Sequence, residues 1–219
     1  MTDRPILFSA PMVRALLSDR KTQTRRLLKP QPQGEVINYG WQRDEGAYWT
    51  DQSFASHKLP IWAGYRLWVK ETWRTESRAY DDLAPSEMGG EETVLYDADA
   101  DWSANKTTGK TRVSIHMPRW ASRTTLIVTD VCVERLQDIS EADARAEGCP
   151  VTWDGEPYDP PPPEVDSWQG YGRASFFLLW SKINGPGSWE ANPWVAAYTF
   201  TVIKQNIDQI ERAADAQRS

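Results

Sequence analysis

A chain of 219 residues has room for one good-sized core and little for a second full domain. Forty per cent apolar and 26% charged residues describe an ordinary globular protein rather than a disordered one, and no apolar run reaches the roughly 18 residues that span a bilayer. The net charge of −6 excludes a surface coated with base for wrapping long duplexes.

The N-terminus lacks both a basic start and an apolar signal core, so a cytoplasmic protein without a membrane partner is expected. Cys132 and Cys149 show no CxxC spacing, which leaves free, reduced thiols as the default reading. Charge is unevenly spread. Residues 1–30 carry seven basic side chains against Asp3 and Asp19, whereas residues 75–101 carry nine acidic ones against Arg78. A basic edge and an acidic insertion suit a short anionic ligand or a single strand better than a duplex.

In chain order, "PILF" is a short apolar strand, and Ser9 caps a helix in which Met12, Ala15 and Leu16 repeat at helical spacing. A sharp turn delivers Lys21, and "TQTRRLL" predicts a second strand. Residues 30–60 hold Pro30, Pro32, Gly34, Gly40 and Gly46 without periodicity and read as an inserted excursion. In "GYRLWVKETW" strict alternation sets Tyr65, Leu67, Val69, Glu71 and Trp73 on one side, an apolar face until Glu71. Further insertions fall near 75–110 and 151–170. "RVSIHM" (112–117) and "TTLIVTDVCVERL" (124–136) read as strands.

"DISEADARAEG" predicts a helix with Ser140 as N-cap, Asp143 in a box-like start and Gly148 as its stop. The proline-rich stretch "GEPYDPPPPEVDS" suits neither helix nor paired strand, and extended surface chain is expected. "RASFFLLWSKI" (173–183) is a packed helix, "WVAAYTFTVI" a late strand, and residues 205–219 a polar tail or helix. Short strands, a few helices and long loops indicate one α+β domain over 1–204, a small curled or closed barrel with helices at its rim.

"SDRKTQTRR" and "EADARAEG", in this order around the strands, resemble the ASCH family, whose members have a PUA-like β-barrel and a G-x-K-x-x-[TE]-x-R motif after the first helix. "RLWVKETW", "SIHMPRWAS", "VERLQDIS" and "SWEANPWV" are similar to the longer ASCH proteins of phages and prophages. Lys21, Thr24 and Arg26 fall on the motif's functional positions, and the later helix implies Glu147 as the glutamate used by members that hydrolyse N4-acetylcytidine. Asp19 stands where the family usually has glycine, so a turn of positive φ requires a left-handed Asp.

The resemblance implies Lys21, Thr24 and Glu147 as candidate catalytic residues and Arg26 as a ligand contact; the residue pattern adds Arg25, Glu71 and His116 as candidate ligand contacts. An amide hydrolase needs a nucleophile, a proton acceptor and an oxyanion donor. Thr24 can attack, Lys21 can take its proton if burial and the neighbouring arginines lower its pKa, and Glu147 can orient the amine or shuttle a proton. Residues three apart in a strand face opposite ways, so Lys21 must sit in the turn while Thr24 and Arg26 share a face.

Plainer readings stand beside these. Basic residues after a helix end complement its dipole in solvent; Glu147 is then a surface carboxylate, His116 a structural histidine, and Glu71 either reaches the barrel rim or pairs with a buried base such as Lys21 or Arg26. Among the tryptophans, Trp68, Trp180 and Trp194 belong to the core, while Trp62, Trp73, Trp120 and Trp189 lie near element ends where a ring can line a pocket. Neither metal nor cofactor is expected: there are two histidines, and "DADADWSANKTTG" has Trp102 and Thr108 where a calcium loop needs Gly and Glu. Two functions follow as expectations. One is an amidohydrolase of N4-acylated cytosine nucleosides or bases; the other is a PUA-like reader of single-stranded RNA or a modified base, with weak ribonuclease activity as a variant.

Overall fold

Strands and helices are mixed along the chain, as the alternating stretches of period two and period 3.6 require. The computed structural model describes residues 2–38, 41–42, 46–51, 56–100, 102, 107–149 and 171–210. In chain order these form β1 (Asp3–Leu7), α1 (Ala10–Leu17), β2 (Gln23–Leu27), β3 (Val36–Asn38), β4 (Trp41–Gln42), β5 (Gly46–Asp51), β6 (Ser56–Lys58), β7 (Arg66–Lys70) and β8 (Trp73–Thr75). There follow β9 (Val94–Tyr96), β10 (Thr125–Arg135), α2 (Glu141–Ala146), α3 (Tyr171–Asn184) and β11 (Trp194–Ile203). The proline-rich stretch expected to lie extended is outside the described residues.

Two compact units divide the chain, one made of residues 1–19, 64–127 and 201–219, the other of residues 20–63 and 128–200. In the first, β1 pairs in parallel with β7, and β7 pairs antiparallel with the start of β10. The predicted alternation of β7 is real: Tyr65, Leu67, Val69 and Glu71 are all buried, as is Trp73 beyond them. A core cluster of Trp73, Met88, Met117 and Ala121 is lined by Tyr80, Val94, Tyr96 and Trp120. The acidic insertion is not only loop, since β9 pairs with β8.

In the second unit β11 pairs antiparallel with β2, setting Tyr198 opposite Thr24, Ala197 opposite Arg25 and Ala196 opposite Arg26. α2 and α3 contribute Ala144, Phe176 and Trp180 to a core shared with Leu136, Ile139, Cys149 and Val195. α2 begins as its sequence dictates: the Ser140 hydroxyl accepts from the Asp143 amide at 3.1 Å. It ends at Gly148, whose φ of 74° is a left-handed stop.

One expectation is corrected. Residues 112–117 form no strand; Ser114–His116 is a 3-10 turn closed before Pro118, and of the three apolar side chains of the alternation Val113 and Ile115 are exposed while Met117 is buried. The excursion at 30–60 contains a small antiparallel sheet in the order β3-β5-β4, with β6 also on β5. Among the described residues no closed barrel of strands is formed; the sheets are open, with edges. Among the described residues no helix is long and apolar enough to cross a membrane.

Candidate functional site

α1 ends at Ser18, and Asp19 takes the left-handed conformation that its place requires, with φ 58°. Two residues later Lys21 forms an isolated antiparallel bridge with Glu147, ahead of β2. This lead-in serves the end of α2, whose last carbonyls lack helical donors. The Thr22 amide donates to the Ala146 carbonyl at 2.7 Å, and Lys21 Nζ donates to the Glu147 carbonyl at 2.7 Å. Local chain geometry thus carries Lys21 under the helix C-terminus, where a cation is favoured.

The same ammonium also donates to Glu147 Oε2 at 2.7 Å. Lys21 is 0% exposed and Glu147 3%. Burial pushes the Lys21 amine below its usual range; Glu147 opposes this through charge and hydrogen bond, and Arg26 adds to the lowering. The other carboxylate oxygen of Glu147 accepts from Arg25 Nη1 at 3.2 Å. Cys149, in the same neighbourhood, has its thiol pushed up to about 12, by burial first and then by Glu147.

β2 divides its three functional side chains by its pleat. Thr24, buried at 3%, and Arg26 lie on one face, with Tyr198 and Ala196 as cross-strand neighbours. Arg26 is accessible to solvent, yet desolvation by surrounding protein pulls its guanidinium below its ordinary range, with Glu147 and Tyr198 working the other way. Arg26 keeps its charge in any case. The Tyr198 hydroxyl is pushed up to about 12 by burial, against the pull of Arg26.

Arg25 projects from the other face of β2. Its Nε donates to Glu134 Oε1 at 2.7 Å, its Nη1 also to Gln23 Oε1 at 3.1 Å, and its Nη2 lies 3.7 Å from Asp143 Oδ2. Its guanidinium carbon stands 5.9 Å from the centre of the Phe176 ring. Arg25, a candidate ligand contact, thus has a guanidinium engaged by carboxylates from β10, α2 and the end of α2. Glu134 and Asp143 were not among the candidates, and no local signal marks them, because their link to Arg25 spans 109 residues in the first case.

Glu71 and His116 belong to the first unit. Glu71 is 1% exposed and accepts from Arg123 Nε at 2.9 Å and Nη2 at 3.1 Å, so the base it pairs with is Arg123 rather than Lys21 or Arg26. Burial raises its carboxyl pKa, Arg123 lowers it, and the net direction is up. His116 is exposed on the 3-10 turn that replaces the expected strand. Among the described residues no group of three or more His, Cys, Asp or Glu side chains is gathered in a metal-holding arrangement. No family model, no curated protein and no solved structure matches the chain.

Proposed function

We propose that the second unit holds a metal-independent amide-hydrolysing site for N4-acylated cytosine derivatives such as N4-acetylcytidine, in keeping with the ASCH resemblance and its PUA-like barrel. The observation that carries the reading is the 2.7 Å contact between the fully buried Lys21 ammonium and Glu147, two residues 126 positions apart. A lysine in a dry site beside a carboxylate can pass its proton to that carboxylate and become a neutral base. Thr24 Oγ1 then attacks the acyl carbonyl carbon while its proton moves to Lys21 Nζ. The tetrahedral intermediate collapses with cleavage of the bond to N4, and the proton on Lys21 goes to the leaving exocyclic amine. Water hydrolyses the resulting threonine ester, releasing the acid. Arg26, accessible and permanently charged, stabilises the oxyanion or positions the base.

Conversion to cytidine is followed by absorbance for the parent chain, Lys21→Ala, Thr24→Ala and Arg26→Ala, each with and without EDTA. Turnover by the parent, its abolition in Lys21→Ala and a smaller loss in Arg26→Ala are expected. Thr24→Ala matches Lys21→Ala if threonine is the nucleophile and is milder if lysine activates a water. Loss of turnover in EDTA sinks the metal-free reading.

One observation favours a second reading. Lys21 has no exposed surface and donates twice to Glu147, as a structural pair would. The site then holds RNA or a modified base without reaction, through Arg26 and its neighbours. Binding of acylcytidine or single-stranded RNA, with a shallow salt slope and no turnover by well-folded parent protein, selects this reading.

A further inference from the structure

We propose that Arg25 is a positioning residue that holds Glu147 from the side away from Lys21 and so governs whether Lys21 carries its proton. The inference rests on the reading of Lys21 as a proton-transfer group. Its basis is the way Glu147 is shared: Oε2 faces Lys21 at 2.7 Å and Oε1 faces Arg25 at 3.2 Å. The Arg25 guanidinium is a fixed positive charge on the same carboxylate that steadies the Lys21 ammonium.

The charges around the pair come from each packed element. Glu134 on β10 and Asp143 on α2 engage Arg25, and Phe176 on α3 lies beside its guanidinium. Arg26 on β2 and Cys149 after α2 act on Lys21 itself. Arg25 therefore draws on three carboxylates, and its side chain is only 1% exposed. In so dry a place its charge is weakly screened. Removing it would leave Glu147 to steady the Lys21 ammonium alone, and the lysine would be held as a cation. Removing one of the carboxylates without touching Arg25 acts in the opposite sense.

Arg25 lies on the face of β2 opposite Thr24 and Arg26, so it serves the reaction only through Glu147. A residue that merely packs would change stability and leave the Lys21 proton alone.

The test is a carbon-13 NMR titration of Lys21 Cε in the full chain labelled at lysine, with the resonance assigned by its loss in Lys21→Met. Arg25→Gln is expected to raise the Lys21 midpoint by about one pH unit or more, Arg25→Lys to raise it less, and Glu134→Gln to lower it. Midpoints unmoved in both Arg25→Gln and Glu134→Gln, or moved in the same direction, overturn the proposal; so does a fall in thermal stability without a shift in midpoint. If Arg25→Gln does not fold, Glu134→Gln and Arg25→Lys decide by the same opposite signs. No turnover is needed for this readout. A parent that shows the shifts without hydrolysing acylcytidine keeps the role of Arg25 and loses the hydrolase; one that hydrolyses without the shifts does the reverse.

Discussion

Among the described residues each unit buries a glutamate against a guanidinium, and the two differ in whether a lysine shares the carboxylate. In the first unit Glu71 meets Arg123, which also pairs with Asp99 at 2.8 Å and lies with its guanidinium carbon 3.9 Å from the Tyr96 ring centre. Arginine holds its protons, so this carboxylate has a partner and no exchange. In the second unit Glu147 meets both Arg25 and Lys21, and the lysine can give its proton away. A fixed charge on one oxygen and a lysine on the other are what the proposed proton-handling site needs, whereas Glu71 has a fixed charge alone.

The largest difference should appear when each cation is deleted. Arg123→Met strips the hydrogen-bond donors from a carboxylate that is 1% exposed, a change expected to cost about 3–5 kcal/mol of stability by urea unfolding. Lys21→Met leaves Glu147 with Arg25, and about 1–3 kcal/mol is expected. Its cost also depends on pH with a definite sign. Burial holds the folded amine below the 10.5 of the free side chain, so the unfolded chain binds that proton more tightly, and the stability carried by Lys21 rises as pH climbs from the folded value towards 10.5. Equal costs for the two substitutions, or a parent-minus-variant difference that falls over that alkaline range, would break the comparison.

A third ion cluster sharpens it from the acid side. The Asp3 carboxyl is pushed up by burial, but the Arg66 and Arg119 guanidiniums hydrogen-bonded to it outweigh that and hold it below its usual range. Its folded pKa is depressed, so its contribution is present above the unfolded value of 3.8 and lost as pH falls through the folded one. Asp3→Asn should cost about 1–2 kcal/mol near neutrality and progressively less below pH 3.8, measured by urea unfolding at stepped pH. A cost that stays constant in acid would show that the two guanidiniums do not depend on the charge of Asp3.

Local signals were the legible ones. Ser140 and Gly148 bound α2 because a hydroxyl cap and a left-handed glycine act within a few residues of themselves. The alternation around β7 marks Glu71 as a lone carboxylate on an apolar face, which leaves a place at the rim or a buried ion pair, and the structure shows the pair. Its partner did not follow, since Arg123 approaches from 52 residues away and nothing in its own neighbourhood marks it. The stretch 112–117 shows the converse failure: its apolar and polar residues alternate well, yet Val113 and Ile115 are exposed and only Arg112 makes a bridge, with Trp73. Period two describes a strand only when a neighbouring strand is there to receive it.

At the site, the pleat of β2 separated Thr24 and Arg26 from Arg25 as the sequence requires, and Lys21 lies ahead of the strand. Glu147 was reached through the family resemblance, because 126 residues separate it from Lys21 and the intervening chain gives no register. The carboxylates around Arg25 were beyond reach for the same reason.

The smallest expected effect concerns the turn that leads into Lys21. Asp19 has φ 58°, a region that costs a residue with a Cβ roughly 1–2 kcal/mol but is eased for Asp by local hydrogen bonding. Asp19→Gly removes that cost. It also returns about 0.5–1 kcal/mol of chain entropy to the unfolded state, and it removes the exposed contact with Lys204 at 2.6 Å, which is worth little in water. The terms nearly cancel, so a stability change within about 0.5 kcal/mol is expected, with the Lys21 NMR midpoint unmoved. Asp19→Val keeps the Cβ and adds a branch that tolerates this region less well than Asp, so it should cost about 1–2 kcal/mol. If valine is tolerated as well as glycine, the left-handed turn is not what delivers Lys21 to Glu147. A midpoint that moves in Asp19→Gly would instead mean that the turn tunes the pair as well as placing it.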